Sequence, residues 1–571
     1  MKELSFKNKN FLVYFLILIF SLYDRTLWSN ISQWQVDEAS TMWISLKYTF
    51  FEIPVGLISS KNIPNPNGMI YFSKLLNKFP SLWLSSYFLS LLQLILICIL
   101  GYLLSRNNQK LFLFIIIPLL LCLCLRSISA HLSNQWVLTL VNLLFLTLLT
   151  SYMNKPSINK FAILALPAFM APSIYLSGVS NSIAYLFSSF FIFFFYRSEI
   201  NFKKSLKPIF TIFVSIILFS YFVWYPFLKN LIINDIKLFG YLDQSINLKE
   251  FFSTIIGYPY WSIFYAAGDI SGTFKHNGLD TISSPFWSIF HYNQQQLQEL
   301  KNIYDGPLSE FSILLLKINS VILIVQSIIS YLLITFYLFF KRFFTITDKK
   351  ILFFIFTSYL FIFLVIVFGA ILGSPDWVKG ERLDMQVHLL PLFFIIWFLT
   401  PWIIQFSQSF NKYLRFCTLS LLVTFIFVNL CSGYFIYNDH KNYKGKILTD
   451  ADVPLIQKQE VIEYIAEDWK KNSNDEIIKV GYGFNDKRYS WVNSFGKKYE
   501  KYYPGVYVRG REYDYILMRS YNLKNKQEGI QNRSIIDNDY IITYNVSGPP
   551  VQKENIILLK EIGRLNIYKL R

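Results

Sequence analysis

The sequence predicts a polytopic α-helical membrane protein with a small α/β domain at its C-terminal end, and three observations carry that prediction. Apolar residues make up 53% of the 571 residues and charged residues only 16%, for a mean hydropathy of +0.37. The apolar residues come in continuous blocks long enough to cross a bilayer rather than at the spacing of an amphipathic helix or strand. From about residue 438 the pattern changes to short runs broken by Gly, Asn and Asp.

The first block, "MKELSFKNKNFLVYFLILIFSLYDRTLW", has a basic start and an apolar core. It lacks a small-residue cleavage site and runs on into Tyr23, Asp24 and Arg25, which predicts a retained signal anchor. Cutting the rest at polar breaks gives about eleven spans, beginning near residues 10, 82, 111, 136, 161, 179, 208, 313, 351, 387 and 416. The spans read as nearly free of charged residues, which counts against a transporter.

Orientation follows from the net charge of +18. Its lysines and arginines cluster in short breaks such as "SRNNQK", "MNKPSINK", "RSEINFKKSLK" and "KRFFTITDKK", and these alternate with longer, less basic ones. The positive-inside rule puts the basic breaks and the N-terminus in the cytoplasm. The charge is therefore a device of orientation and does not predict nucleic-acid binding. Outside lie loops near 29–80, 229–312 and 373–386 and everything after 437, so the chain divides into a membrane domain over 1–437 and an external domain over 438–571. This parity requires "FFSTIIGYPYWSIFYAAG" (251–268), with Gly257 and Pro259, to lie on or re-enter the membrane without crossing. In a bacterial host the chain sits in the inner membrane with its C-terminal domain periplasmic or extracellular.

In that domain "VPLIQKQEVIEYIAEDWKK" reads as a helix, and "EIIKVGYG", "YDYILM", "DYIITYNV" and "LNIYKL" read as strands. Cys98, Cys122, Cys124, Cys417 and Cys431 all lie in apolar blocks and predict no disulfide framework. The five histidines, His131, His276, His291, His388 and His440, are scattered and predict no zinc site. The second loop is rich in aromatics, among them Trp261, Tyr265 and Trp287, which suit interface anchoring better than sugar stacking.

The chemistry concentrates in "SQWQVDEASTMW" (32–43), where Asp37 and Glu38 open a stretch, "EASTMWISLKYTFFEIP", that reads as an interfacial amphipathic helix. A carboxylate there is stabilised as the anion by free amides and the helix dipole, so a simple cap and a reactive base are both open on periodicity. Next comes "SSKNIPNPNGMIYFSKLLNKFPSLWLSSYFLSLL", in which Pro64, Pro66 and Gly68 break the chain before a second amphipathic helix and a return span.

This order resembles the GT-C superfamily of membrane glycosyltransferases, in the branch of the protein mannosyltransferases and the aminoarabinose transferases of lipid A. Those enzymes carry an external Asp-Glu motif, two interfacial helices and a turn often reading His-Pro-Pro-hydrophobic-Tyr. Here the turn is "NPNGMIYFSKLL", with Asn65 in place of the His and Asn67 in place of the second Pro. The resemblance implies a GT-C fold and an inverting transfer of a sugar from a polyprenyl-phosphate donor to a lipid, glycan or protein hydroxyl. It implies Asp37 as general base, Glu38 as its neighbour in the site, and Asn65, Asn67 and Tyr71 at the substrate.

The donor phosphate calls for cations. Lys379 and Arg382, in "GSPDWVKGERLDMQVHLLP" ahead of a span with a central Pro391, fit that need, with Arg126 as a further candidate; His131, also in "LRSISAHLSNQW", is a substrate-binding candidate. Each of the basic groups also suits a snorkelling interfacial anchor. Some GT-C enzymes use a divalent cation, Mg²⁺ or Mn²⁺, to which Asp37 could contribute, but two carboxylates are too few ligands to predict one. The rival readings are a transporter or flippase of lipid-linked saccharides, a non-catalytic relative, and a surface-polysaccharide polymerase or ligase.

Overall fold

The basic and apolar start of the chain folds as one helix, α1 (Lys2–Asn30). The structure, a computed structural model, describes residues 2–32, 36–53, 55–57, 64–105, 109–129, 134–175, 178–197, 206–233, 308–339, 412–442, 453–483, 496–526, 538–544 and 556–570, with a few single positions between them. After α1 come two short helices, α2 (Val36–Lys47) and α3 (Gly68–Leu76), and then the return helix α4 (Leu82–Ser105). The bundle continues through α5 (Gln109–Leu121), α6 (Leu123–Ser129), α7 (Asn134–Asn154), α8 (Ile158–Ile163), α9 (Ala165–Ile174), α10 (Val179–Tyr196), α11 (Leu206–Ile233), α12 (Glu310–Phe339) and α13 (Lys412–Asn442).

Six of the described helices hold segments long and apolar enough to cross a membrane: Leu82–Ser105, Val137–Asn154, Val179–Tyr196, Ile216–Ile233, Glu310–Ser330 and Leu419–Asn442. The chain is an integral membrane protein. The spans expected near 351 and 387, the segment 251–268 and the interior of the second loop lie outside the described residues.

Two expected spans are broken. The one near 111 divides at Cys122 into α5 and α6, where the Leu123 N–H is taken by the Asn429 side chain of α13 at 3.0 Å. Pro118, without an N–H of its own, weakens the same region. The one near 161 divides at Leu164 into α8 and α9, and together they form an apolar stretch, Ile158–Ile174, shorter than the six spans.

Three charged residues meet between α1, α4, α6 and α13, none of them within the six spans. Asp24, Arg25 and Arg126 are all buried there. Arg126 grips Asp24 with two nitrogens, Nε to Oδ2 at 2.8 Å and Nη2 to Oδ1, and donates Nη1 to the Asn429 carbonyl at 2.9 Å. Arg25 reaches Asp24 Oδ2 at 3.4 Å and Gln93 Oε1 at 3.3 Å. Charges out of water are costly unless paired, and here two arginines share one carboxylate.

The C-terminal segment folds as helices α14 (Leu455–Asn472) and α15 (Arg511–Tyr521) against strands β1 (Ile477–Ile478), β2 (Val480–Tyr482), β3 (Lys524–Asn525), β4 (Tyr540–Tyr544), β5 (Ile556–Ile562) and β6 (Leu565–Leu570). β1 pairs parallel with β3, and a four-stranded sheet runs in the order β2-β4-β6-β5. β2 and β4 are parallel, β4 and β6 antiparallel, and β5 and β6 form an antiparallel hairpin.

"YDYILM", expected as a strand, is the centre of α15. Its Tyr513, Tyr515 and Leu517 alternate as a strand would, yet Ile516 and Asp514 are buried as well, which a one-sided strand does not allow. The helix is bounded by left-handed residues at both ends, Gly510 (φ 73°) and Asn522 (φ 57°).

Asp24→Leu leaves two buried arginines without their anion and is expected to destabilise the fold by about 3–5 kcal/mol, read as a lowered melting temperature in detergent. Pairing it with Arg126→Met is expected to recover part of the loss.

Candidate functional site

The Asp37–Glu38 pair lies in the first turn of α2. Its placement begins with α1, because the chain leaving that helix is tied to the C-terminal unit almost at once. The Ser32 carbonyl accepts the Leu455 N–H at 3.1 Å. Trp34, fully buried, donates its indole N–H to the Glu512 carbonyl at 3.0 Å, and its own carbonyl accepts from the Lys458 ammonium.

Two acids in the first turn and Lys47 in the last suit the α2 dipole. Thr41 donates back to the Asp37 carbonyl at 2.9 Å. At the other end Lys74 of α3 reaches two terminal carbonyls, Ser45 at 2.9 Å and Tyr48, so a cation closes the helix.

The amphipathic stretch does not lie open on a surface. Nine of the twelve residues of α2 are buried, Glu38 among them, because α3 packs on it and α15 of the C-terminal unit covers it as well. Arg511 makes one of these cross-contacts. It is fully buried, its guanidinium carbon sits 4.1 Å from the Trp43 ring centre, and its nitrogens hold the carbonyls of Val506, at 2.8 Å, and Gly505. Tyr515 packs on Trp34 and Trp43 and donates to Asn77 Oδ1, while Arg519 donates to the Asn77 carbonyl and to the Phe79 carbonyl at 2.6 Å.

This cover brings Tyr507 to the acidic pair. Its hydroxyl donates to Asp37 Oδ1 at 2.7 Å, and its ring stacks on Tyr499 with centroids 4.7 Å apart and planes 15° apart. Burial, and then the negative charge of Asp37, push the Tyr507 phenol well above its ordinary range, so it stays a neutral donor. Asp37 is half-buried. A carboxylate at such a position, with one oxygen held by a phenol, is suited to accept a proton or to stabilise positive charge.

The Pro-rich turn is built by its asparagines. Two backbone hydrogen bonds cross it, Gly56 N–H to the Asn65 carbonyl at 2.6 Å and Asn65 N–H to the Leu57 carbonyl at 2.8 Å. Asn65 Nδ2 donates to the Leu57 carbonyl at 2.8 Å. Asn67, fully buried, donates to the Ile53 carbonyl at 2.8 Å and to the Tyr71 hydroxyl at 2.9 Å. Tyr71 stacks on Phe50 at 4.1 Å, and burial pushes its phenol up to about 12. Gly68 then starts α3 against α9, where a Cβ would meet the Ser173 carbonyl oxygen at 2.5 Å. Asn65, Asn67 and Tyr71 thus form one packed turn braced on the Leu57, Ile53 and Phe50 carbonyls.

Of the expected phosphate ligands, Arg126 is committed to Asp24 and the Asn429 carbonyl. Lys379, Arg382 and His131 lie outside the described residues. Among the described residues no group of three or more His, Cys, Asp or Glu side chains is placed to hold a metal ion. The residues that sequence reasoning missed are Tyr507 and Arg511; "YYPGVYVRGRE" (502–512) marks them only as an aromatic turn between Pro and Gly.

No family model matches the chain, and no curated protein matches it. Among solved structures it is similar to the crystal structure of ArnT from Cupriavidus metallidurans bound to undecaprenyl phosphate, at 9% identity over 97% of this chain and 97% of that one, with a TM-score of 0.44.

Arg511→Met removes the tie between Trp43 and the 505–506 carbonyls and leaves Asp514 without its cation, 3.7 Å away in the native chain. A loss of about 3 kcal/mol is expected, raising the rate of limited proteolysis within the C-terminal unit by roughly a hundredfold where cleavage follows opening.

Proposed function

We propose that the chain is an inverting membrane glycosyltransferase that moves a sugar from a polyprenyl-phosphate donor to an acceptor hydroxyl on the outer face of the membrane. The observation that carries the proposal is the position of Asp37. It is a half-buried acid at the start of a short helix that follows α1 in the chain, precedes the apolar return helix α4, and packs on α3 and on α15 of the C-terminal unit. A donor with a lipid tail holds its phosphate and sugar at the junction of bilayer and water, and a base that serves it belongs at that junction. The GT-C-like order of motifs in the first hundred residues supports the same assignment.

In this reading Asp37 takes the proton of the acceptor hydroxyl as its oxygen attacks the anomeric carbon. The bond from that carbon to the phosphate oxygen breaks, and the polyprenyl phosphate leaves with the electron pair. The attack comes from the side opposite the leaving group, so the anomeric configuration inverts. The transition state is oxocarbenium-like, and the negative charges of Asp37 and Glu38 stabilise its positive charge as well as accepting the proton. Lys379 and Arg382 are proposed to hold the leaving phosphate. The acceptor is a lipid, glycan or protein hydroxyl, and a divalent cation remains a proposal to be tested by adding Mg²⁺ or Mn²⁺ and by chelation.

A second reading, movement of a lipid-linked saccharide across the bilayer, is favoured by one observation, the buried Asp24, Arg25 and Arg126. It makes Asp24 essential and Asp37 dispensable.

The two part on one experiment, transfer of radiolabelled sugar from a panel of polyprenyl-phosphate monosaccharides by the purified full chain. Asp37→Asn, nearly isosteric and unable to take the proton, is expected to lower transfer by about 10²–10⁴-fold with the melting temperature unchanged. Full activity in that variant would reduce Asp37 to a helix-terminus charge.

A further inference from the structure

The C-terminal unit touches the acidic motif itself, and the contact is a built one. The segment that delivers Tyr507 is fixed at several points along its length. Tyr503 donates its hydroxyl to the Val55 carbonyl and sets its ring edge against Tyr48, with centroids 5.1 Å apart. The Gly505 N–H is held by Glu500 Oε1 at 3.1 Å, and the Gly505 and Val506 carbonyls are held by Arg511. At Gly510 the left-handed turn into α15 lies so close to Tyr482 that a Cβ would come within 2.2 Å of its ring. Tyr507 itself is 1% exposed, so its phenol has little freedom to turn elsewhere.

We propose that Tyr507 is a positioning residue for Asp37, holding the carboxylate through Oδ1 in the orientation in which it meets the acceptor hydroxyl, and that the C-terminal unit is therefore a working wall of the site. This rests on the reading of Asp37 as the base. A carboxylate at the end of a short side chain turns about two torsions, and a base acts only within hydrogen-bond reach of the proton it takes. A phenol locked by a stacked neighbour removes that freedom at one oxygen. The arrangement parallels the way an orienting partner fixes a catalytic imidazole, with the roles of acid and base exchanged.

The inference assigns a task to two parts of the chain about 470 residues apart. Asp37 comes from the first loop and Tyr507 from the last hundred residues, and neither is placed without the docking of α15 on α2. The C-terminal unit is then inseparable from turnover, and a chain cut before it is expected to bind donor without transferring sugar.

The test uses the full chain and the donor consumed in the panel above, with four variants: Tyr507→Phe, Asp37→Asn, the double variant, and Tyr540→Phe as a control that loses a hydrogen bond to Asp468 within the C-terminal unit without touching the segment that carries Tyr507. Tyr507→Phe keeps the ring and its stack on Tyr499. It is expected to lower kcat by roughly ten- to a hundredfold, the usual cost of losing an orienting partner, with KM for the donor unchanged. Tyr540→Phe is expected to leave kcat as it is. In the Asp37→Asn background Tyr507→Phe is expected to add nothing, because the group it orients is gone. The inference is overturned if Asp37→Asn is inactive while Tyr507→Phe turns over like wild type, or if Tyr507→Phe lowers transfer equally in both backgrounds. The first outcome leaves the base assignment standing. Activity retained in Asp37→Asn removes that assignment and this inference together.

Discussion

The contact on which the rest of the site depends is the burial of Arg511 against Trp43. A guanidinium fully removed from water needs its charge balanced, and here an indole face and Asp514, 3.7 Å away, face the charge while two backbone carbonyls accept from Nε and Nη2. The carbonyls belong to Gly505 and Val506, so the interaction that holds the C-terminal unit on α2 also fixes the turn that carries Tyr507. The polar residues around it, Trp34, Asn77, Lys458 and Arg519, bridge the same interface through backbone groups. Docking and the geometry at Asp37 are one structural event.

The bundle beneath follows a different logic. Its spans are held by close packing of apolar side chains, with a few polar groups that must satisfy one another because no water is at hand. Asn429 shows this economy. Its side chain meets the Leu123 N–H that the break at Cys122 exposes, and it exchanges hydrogen bonds with Asn319 of α12. Asp24 shows it as well, one carboxylate answering two arginines from α1 and α6.

Much of this was legible in the sequence because it rests on local pattern. Apolar blocks give spans, Pro64, Pro66 and Gly68 give the turn before α3, and Asp37 and Glu38 announce the start of α2 by residue type alone. The break between α5 and α6 was not legible, since the Asn429 side chain, some three hundred residues away, takes the Leu123 N–H. The buried charges escaped notice because Asp24 and Arg25 look like the end of a span until Arg126 is brought to them. "YDYILM" misled because three aromatic or aliphatic residues at alternate positions satisfy a strand, and only Gly510 and Asn522, beyond the window, mark a helix. Tyr507 carried no signal, as one tyrosine among many acquires its role only through a contact across nearly the whole chain.

The most direct measurement of the central account is the stereochemistry of transfer. The purified full chain would be given a polyprenyl-phosphate sugar of known anomeric configuration and an acceptor, and the configuration of the product would be read from its anomeric proton coupling by NMR. A single base acting on the acceptor hydroxyl predicts clean inversion. Retention would contradict it, since that outcome needs a covalent glycosyl intermediate and a carboxylate acting as nucleophile, and failure to consume any donor would contradict the assignment of glycosyl transfer itself.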